Sequence, residues 1–321
     1  FMAVAGEKGI RTISPFLPDD SVEVPAAAAA ALVKHGGLDG ILTAAETLKS
    51  LLNGEAPERR RAGARVLGEI KVQSFFSPVL ELLGDEDRSV RLAAIEAAAQ
   101  MKRPELMPAL VYRLADPYLG AAAARALGAY GESVERTLFK VMKRRRESIE
   151  VRRRIPKVLS IVGTPQALPL LLEALDDPDP ELRAEAARAA GRIRERHPQA
   201  AFPLTDVAKA VQDEVQQAYQ TLATMLDLEL PQGHLLQEAL HNRHRKHLGI
   251  ALRLLEVRYP ARTIQLVASN LESNNKIVRA NALEVMDNLL ARDESRLFVP
   301  LLEDNADEVR VRFANENFSI Q

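Results

Sequence analysis

The sequence of 321 residues contains no cysteine and no tryptophan, and aromatic residues make up only 4% of it. The absence of cysteine excludes disulfide bonds and thiol chemistry and is compatible with a reducing compartment. Because aromatic residues are scarce while hydrophobic residues still make up 47% of the chain, small and aliphatic side chains must fill the core. This composition is typical of stacked helices.

Neither sign of charge dominates the chain, because 43 Lys and Arg residues stand against 44 Asp and Glu residues. The net charge of -1 provides no overall field to attract nucleic acid or an anionic membrane. The longest uncharged apolar run, residues 24–33, is far shorter than the roughly 20 residues that cross a bilayer. The first ten residues also lack the regions of a signal peptide. We therefore expect a cytoplasmic segment that does not itself insert into a membrane.

An internal repeat of about 31 residues is the main feature of the sequence. Residues 84–101, GDEDRSVRLAAIEAAAQM, and residues 176–193, DDPDPELRAEAARAAGRI, place an acidic turn, an aliphatic–arginine pair and small residues in the same order. The pair recurs along the chain, and its arginines are separated by multiples of this period: Arg91, Arg152, Arg183, Arg279 and Arg310.

Each repeat is predicted to form two helices joined by a turn. Residues 168–175, LPLLLEAL, have leucines at helical spacing and predict a first helix, which the segment from Asp176 to Pro180 ends. Residues 182–193 predict a second helix rich in alanine, the strongest helix former, whose small side chains let neighbouring units approach closely. Glycines recur near the same point of the unit at Gly68, Gly128 and Gly191. Since a two-helix unit cannot bury its apolar face alone, successive units must stack.

Three segments carry a resemblance to a known family: LLEALDDPDPELRAEAARAAGRI, LLGDEDRSVRLAAIEAAAQM and LLEDNADEVRVRF. They resemble short HEAT-like repeats of the PBS-lyase type. The resemblance implies an all-α fold, namely a right-handed α–α superhelix, or solenoid, of HEAT-like helical-hairpin repeats. It also implies a ladder in which each marker arginine meets an acidic residue of its own turn. The ladder is expected to be interrupted at Pro25 and Gly120. The implied pairs are Arg91 with Asp87 or Glu86, Arg183 with Asp179, and Arg310 with Asp307.

The repeat is not uniform, and this divides the chain into three regions. Regular units are predicted for residues 1–199 and again for 260–321, where the last unit is truncated. Residues 200–259 lack the marker and predict an atypical pair of longer helices, 204–228 and 234–259, within the same solenoid. Residues 204–290 are similar to the HEAT segment of bacterial membrane proteins that combine a nucleotide-carrier-like transporter domain with a cyclic-nucleotide-binding domain. That resemblance implies an excised regulatory module, tethered to the inner membrane through a domain outside this sequence.

A histidine-rich stretch, HLLQEALHNRHRKH, is the first candidate site. His241, His244 and His247 recur every three residues, with His234 and Glu238 nearby. Imidazole and carboxylate groups are zinc ligands, so these residues are a candidate metal site. However, steps of three residues drift around a helix by about 60° each, and neighbouring basic side chains add positive charge. Both features favour a solvated polar face.

The basic segment KRRRESIEVRRR, residues 143–154, is the second candidate site and spans a turn between predicted helices. Arginine is suited to bidentate contacts with phosphate or carboxylate groups, so the segment predicts a patch for an anion or an acidic partner. The alternative is a solvated turn in which Arg152 belongs to the ladder. The basic residues of this patch are Lys143, Arg144, Arg145, Arg146, Arg152, Arg153 and Arg154.

Motifs of catalytic sites are missing from the sequence, which has no nucleophile elbow, phosphate loop or HExxH zinc motif. We therefore expect no catalysis and no cofactor. The expected role is a scaffold for a protein partner of acidic character or for neighbouring domains of the same polypeptide. Two alternatives stay open: a HEAT-like enzyme of the bilin lyase type, or a protein that binds phosphate or nucleic acid. The scarcity of aromatic residues argues against a pigment pocket, and the net charge argues against nucleic acid.

Overall fold

All regular secondary structure in the described part of the chain is helical. The computed structural model describes residues 2–200, 204–229, 231 and 233–318, and it contains no β-strand in these ranges. The prediction of an all-α fold is therefore confirmed. The chain divides into two compact units, Phe1–Val162 (unit 1) and Gly163–Gln321 (unit 2). The region boundaries predicted after residues 199 and 259 both fall inside unit 2.

Unit 1 contains ten α-helices within the described residues, most of them in consecutive pairs joined by short turns. They are α1 Met2–Ile13, α2 Glu23–His35, α3 Gly37–Leu52, α4 Pro57–Ile70, α5 Phe76–Leu82, α6 Arg88–Met101, α7 Met107–Arg113, α8 Gly120–Gly128, α9 Glu135–Lys143 and α10 Ile149–Val162. From α3 onward, the odd-numbered members are the first helices of the pairs and the even-numbered members are the second helices.

Side-chain caps fix the start of several second helices. Asp87 accepts hydrogen bonds from the backbone amides of Ser89 (2.8 Å) and Val90 (3.2 Å) at the start of α6. An Asp side chain at this position satisfies amides that the first turn of a helix leaves without a partner. The acidic turn of the repeat is thus a helix-capping element.

The alanine-rich second helices form the tightly packed side of unit 1. Helix α4 packs on α6, α6 on α8, and α8 on α10, whereas the first helices α5 and α7 chiefly contact their own second helices. A methyl group added at Gly68 would lie 2.8 Å from the Cα of Ala97, and one added at Gly128 would lie 2.4 Å from Cγ2 of Ile161. These glycines permit the close approach of consecutive second helices, and the wider spacing of the first helices leaves grooves between them.

Unit 2 contains eight α-helices in the described residues. They are α11 Leu168–Glu173, α12 Pro180–Arg196, α13 Leu204–Leu228, α14 Leu235–Arg258, α15 Ala261–Leu271, α16 Lys276–Leu289, α17 Arg292–Leu302 and α18 Asp307–Phe318. Helices α11 and α12 lie where the leucine-rich and alanine-rich segments predicted them. Asp179 caps α12 by accepting from the amide of Leu182 at 2.8 Å, and Pro180 occupies the first turn.

The two longest helices, α13 and α14, occupy the stretch that lacks the repeat marker. They have 25 and 24 residues and pack along each other. Helix α13 also contacts α17 and α18, and the hydroxyl of Tyr219 on α13 donates to the carbonyl oxygen of Leu297 at 3.2 Å. Regular repeats contact only their neighbours. This part of unit 2 therefore departs from a simple ladder of helix pairs. Among the described residues, no helix combines the length and apolar character that crossing a bilayer requires.

Candidate functional site

The marker arginines hold the turns of the repeats. Arg91 donates from Nη1 to the carbonyl oxygens of Asp85 (2.7 Å) and Glu86 (2.8 Å), six and five residues earlier. The same bonds to the preceding turn recur at other marker positions and at Arg60, so they are a structural feature of the repeat. They link Arg60 to Gly54 and Glu55, Arg183 to Asp177 and Pro178, Arg279 to Ser273, and Arg310 to Glu303.

Arg91 meets Glu86 through the backbone carbonyl oxygen and not through the carboxylate, and the pairing implied for Arg183 with Asp179 is not observed. Asp87 and Asp179 cap helices, and the side chain of Arg183 instead pairs with Glu214, 31 residues later, at 2.5 Å. The next repeat supplies an acidic residue in two other places, where Arg60 pairs with Asp85 at 2.7 Å and Arg279 pairs with Asp304 at 2.6 Å. The implied pair of Arg310 with Asp307 is present at 3.2 Å. Most of these ion pairs therefore join consecutive repeats.

The expected interruptions of the ladder have local causes. Gly120 starts α8 where a marker arginine would stand, and a methyl group added there would lie 2.5 Å from the carbonyl oxygen of Leu114. Arg113, on the first helix of this pair, donates from Nε to the carbonyl oxygen of Leu83 at 3.0 Å. Pro25 is buried in α2. Neither Pro25 nor Gly120 has a side chain able to donate to the turn.

The basic segment 143–154 is split by the structure into exposed and buried members. Arg152 is buried and donates from Nε to the carbonyl oxygen of Met142 at 3.0 Å, so it belongs to the ladder and is not available to a ligand. Arg153 is half-buried and has a partner within the protein. The exposed basic residues of the segment are Lys143, Arg144, Arg145, Arg146 and Arg154.

A groove between the first helices α7 and α9 adjoins this segment, with a cavity volume of about 810 Å³. Its apolar lining comes from Pro108, Val111, Val141 and Val151, and its rim includes Lys140, Arg144, Asp116 and Glu147. Arg144 and Glu147 are 3.8 Å apart and their side chains are 50% and 37% exposed, so this ion pair contributes little to stability.

Two exposed tyrosines escaped sequence reasoning: Tyr112 lines this groove, and Tyr118 follows Asp116 of its rim by two residues. Tyr112 is 71% exposed and Tyr118 is 73% exposed. The guanidinium of Arg113 lies 5.5 Å from the ring centre of Tyr112, and that of Arg88 lies 4.9 Å from the ring centre of Tyr118. Tyrosine and arginine are the residue types that most often contribute binding energy at protein interfaces. No sequence signal indicated their exposure, because helical periodicity does not show which groove remains open.

The histidine-rich stretch does not assemble ligands for a metal. His244 and His247 are buried, while His241 is exposed on another side of α14. Nδ1 of His244 lies 3.1 Å from the carbonyl oxygen of Ala218, and burial lowers the pKa of His244. Within the described ranges, no three His, Asp or Glu side chains are placed to share a metal ion.

His247 belongs instead to a buried ionic cluster in unit 2. Nδ1 of His247 lies 2.6 Å from Oε2 of Glu214, and Nε of Arg183 donates to Oε1 of the same carboxylate. Burial acts to raise the pKa of Glu214, but the hydrogen bonds from His247 and Arg183 outweigh it, so the pKa lies below its ordinary value. The cluster joins α12, α13 and α14. It lines a groove of about 900 Å³ that also contains Asp176, Asp213, Arg243 and Lys246.

Glu214 also escaped sequence reasoning, although the sequence contained a signal for it. It lies 31 residues after Arg183, which is one repeat period, but no marker arginine accompanies it. Asp213, beside it, has a pKa that burial raises, and the nearby charges of Asp176 and Glu214 add to the shift against the opposing charge of Lys209.

Comparisons with known proteins agree with this repeat structure. The sequence profile described as HEAT repeats matches residues 45–128, 76–144, 107–178 and 135–223, which together span more than half of the chain. A search of curated proteins finds no match.

Several solved structures are similar to this chain at low sequence identity. The structure of importin beta in an ammonium sulfate condition has 11% identity and a TM-score of 0.46, covering 98% of this chain and 48% of that chain. The complex of CpcE and CpcF of phycocyanin lyase from Nostoc sp. PCC7120 has 18% identity and a TM-score of 0.34, covering 74% of this chain and 94% of that chain. Human deoxyhypusine hydroxylase has 15% identity and a TM-score of 0.30, covering 88% of this chain and 96% of that chain.

The residues matched by the HEAT-repeat profile contain helix pairs seen in the structure. The units whose second helices are α6, α12 and α16 share a first helix, a turn whose Asp or Asn caps the second helix, and an arginine bonded to that turn. With more than half of its length matched by the profile, the chain belongs to the HEAT-repeat family.

Proposed function

We propose that this chain is a non-catalytic scaffold that binds an acidic segment of a partner protein along the groove between α7 and α9 in unit 1. The observation that carries the proposal is the open apolar groove with Tyr112 exposed beside it and Arg144 on its rim. An apolar floor provides affinity by excluding water from a partner side chain, and the charged rim selects the sign of the partner.

Charge distribution supports an acidic partner for unit 1. Unit 1 contains 25 of the 43 Lys and Arg residues and 20 of the 44 Asp and Glu residues, which leaves 18 and 24 in unit 2. Four consecutive exposed basic residues, Lys143, Arg144, Arg145 and Arg146, contribute to this excess, and Arg144 lies on the rim of the groove. Carboxylates of a partner can form charge-assisted hydrogen bonds with the guanidinium groups of the three arginines.

The exposed tyrosines supply anchors for the same partner. A tyrosine ring buries a large apolar area on binding while it loses few side-chain degrees of freedom. Arg113 and Arg88 lie over the rings of Tyr112 and Tyr118, so both rings are already positioned in the unbound protein. Such preorganisation reduces the entropic cost of binding.

A peptide selection tests this function. The full chain is panned against a displayed library of random twelve-residue peptides, and one class of enriched sequences is expected to be rich in Asp and Glu with at least one large apolar residue. Their affinity should fall as salt rises, because exposed charges are screened. The variant Arg144→Gln/Arg145→Gln/Arg146→Gln and the variant Tyr112→Ala should each weaken binding at least about tenfold.

A matched control removes the same amount of charge elsewhere in unit 1. Arg65→Gln/Lys102→Gln/Arg125→Gln changes three exposed basic residues outside the groove and should bind the selected peptides like the parent. Equal losses in both triple variants would mean that only net charge matters, which contradicts a defined groove. Tighter binding of a single-stranded oligonucleotide than of any peptide would assign the surface to nucleic acid and overturn the proposal.

We also propose that the scaffold acts beside a transporter domain at the cytoplasmic face of the inner membrane. The similarity of residues 204–290 to the HEAT segment of transporter-containing membrane proteins supports this placement, and the described residues contain no membrane-crossing helix of their own. Sequencing the complete gene tests it, since a coding region for membrane spans adjoining this segment is expected. A complete gene without membrane spans would contradict the placement and leave the proposed groove untouched.

A further inference from the structure

We propose that the groove of unit 2 is a second docking site, which binds a lysine- or arginine-bearing peptide segment of a partner. The groove lies between the turn that precedes α12 and the helices α13 and α14. It is separate in sequence from the groove of unit 1, and the proposal does not depend on the function proposed there. Four features carry it: the free hydrogen-bonding groups of the groove, its fixed cations, its apolar wall and the charge of unit 2.

The groups left free in the groove are mainly hydrogen-bond acceptors. Asp176 and Asp213 line it and are exposed, and their carboxylates form no ion pair or hydrogen bond with any described residue. The side chain of His247 is only 4% exposed, yet it lines the groove. Its Nδ1 faces Glu214, and its Nε2 has no partner among the described residues.

Most of the basic side chains in the groove are already engaged. Arg183 is bonded to Glu214 and to two backbone carbonyl oxygens, and Lys246 is paired with Glu181. Arg243 is exposed and is the remaining cation of the lining. Among the described residues, the two free carboxylates outnumber the one free cation, Arg243, so the groove favours a ligand with positive charge and several hydrogen-bond donors. An ammonium or guanidinium group has both properties.

Repulsion between the carboxylates points to the same ligand. Burial, together with the charges of Asp176 and Glu214, disfavours ionisation of Asp213 against the opposing charge of Lys209. A cation placed between Asp176 and Asp213 would relieve this repulsion, so its binding is favoured beyond the contacts that it makes itself. The surplus of six acidic over basic residues in unit 2, 24 against 18, also steers a cationic partner toward this unit.

The apolar wall of the groove favours a peptide over a small free cation. Leu175, Pro178, Ala210 and Ala239 line it, and Leu235, which is 82% exposed, lies one turn before Ala239 on the same face of α14. The aliphatic stem of a Lys or Arg side chain and an adjoining apolar residue would cover this wall, while the charged end reaches the carboxylates.

The test pans the full chain against the displayed library of random twelve-residue peptides and measures the enriched peptides by fluorescence anisotropy. We expect enrichment of sequences that pair Lys or Arg with an apolar residue. Asp176→Asn/Asp213→Asn should weaken their binding at least about tenfold, since two charged acceptors are lost. Both positions are exposed, so the double variant should keep the circular dichroism spectrum of the parent.

Matched control variants show whether the loss of binding is specific to this groove. Asp206→Asn/Asp227→Asn removes two exposed carboxylates of α13 that lie outside the groove, and it should bind like the parent. The variant Arg144→Gln/Arg145→Gln/Arg146→Gln should also bind these cationic peptides unchanged, whatever happens to acidic peptides at the groove of unit 1.

Three outcomes would overturn the proposal. The first is a set of enriched peptides without Lys or Arg, or equal binding by the two Asp-to-Asn double variants. The second is spermidine binding as tightly as the best peptide, which would make the occupant a free polyamine. The third is self-association of the parent at low salt that the Asp176→Asn/Asp213→Asn variant abolishes, which would assign the groove to a second copy of this chain.

Discussion

Replacement of Arg183 by Ala tests whether the ionic cluster holds unit 2 together. The change removes a 2.5 Å hydrogen bond to Glu214 and two bonds to the turn carbonyls of Asp177 (2.9 Å) and Pro178 (3.2 Å). The two charged side chains are only 13% and 6% exposed, so solvent cannot replace these contacts well. Removing one partner of a buried ion pair costs about 3–5 kcal/mol. Because His247 still faces Glu214, we expect a loss of about 2–4 kcal/mol in the free energy of unfolding.

Urea denaturation followed by circular dichroism at pH 7 measures this loss. Because the two compact units need not unfold together, hydrogen exchange of peptides from α12, α13 and α14 should be measured alongside it. The matched control is Arg11→Ala, which removes a partner of Glu7 from an exposed i,i+4 pair and should leave stability unchanged within error.

A double-mutant cycle isolates the pairwise interaction. The partner change is Glu214→Gln, and the cycle should give a coupling energy of at least about 1 kcal/mol, since the two side chains are in direct contact. If Arg183→Ala is no more destabilising than Arg11→Ala, or if the two changes are additive, the cluster does not stabilise unit 2 and the reasoning is refuted.

Three further predictions concern packing and pH. Leu182 is fully buried at the start of α12, so Leu182→Asp should cost more than about 4 kcal/mol in urea denaturation, and a loss below about 1 kcal/mol would show that this position is not in the core. The pKa of Glu214 is lowered, so its stabilising contribution is present above the unfolded pKa of about 4.3 and is lost as pH falls through the folded value. The parent should therefore lose its advantage over Glu214→Gln as pH falls below about 4, and a constant difference would contradict this. Gly68→Ala should destabilise by about 1–3 kcal/mol because the new methyl group meets Ala97. Gly249→Ala, with no atom nearby, should stabilise by about 0.5–1 kcal/mol. Thermal melts in which both variants shift the melting temperature in the same direction would refute the packing argument.

The fold could be predicted from the sequence because its determinants are local. Alanine-rich and leucine-rich stretches specify helices through propensity and periodicity, and the acidic turn with Asp87 or Asp179 specifies where second helices begin. The longer helices α13 and α14 were likewise predicted from a stretch that lacks the repeat marker. Gly68 and Gly128 were recognised as markers of the repeat, but their role in close helix packing required the neighbouring unit.

The sites were only partly predictable, because they depend on contacts between segments far apart in sequence. The basic segment 143–154 was found from its composition, yet only the structure separates the buried Arg152 from the exposed Arg144 and places the latter on a groove. The histidines of α14 looked like a stripe of possible ligands, whereas packing directs His247 to Glu214.

The sequence by itself determined the helical repeat, its period and the residues that cap and tie each turn, since these follow from interactions within about ten residues. Tertiary structure alone decided that Arg183 pairs with Glu214 one repeat later, that first helices leave grooves, and that Tyr112 remains in solvent. The physical reason is that small side chains allow the second helices to pack closely, and this close packing sets the spacing of the first helices on the opposite side. That spacing is a property of the stacked units, and no single repeat encodes it.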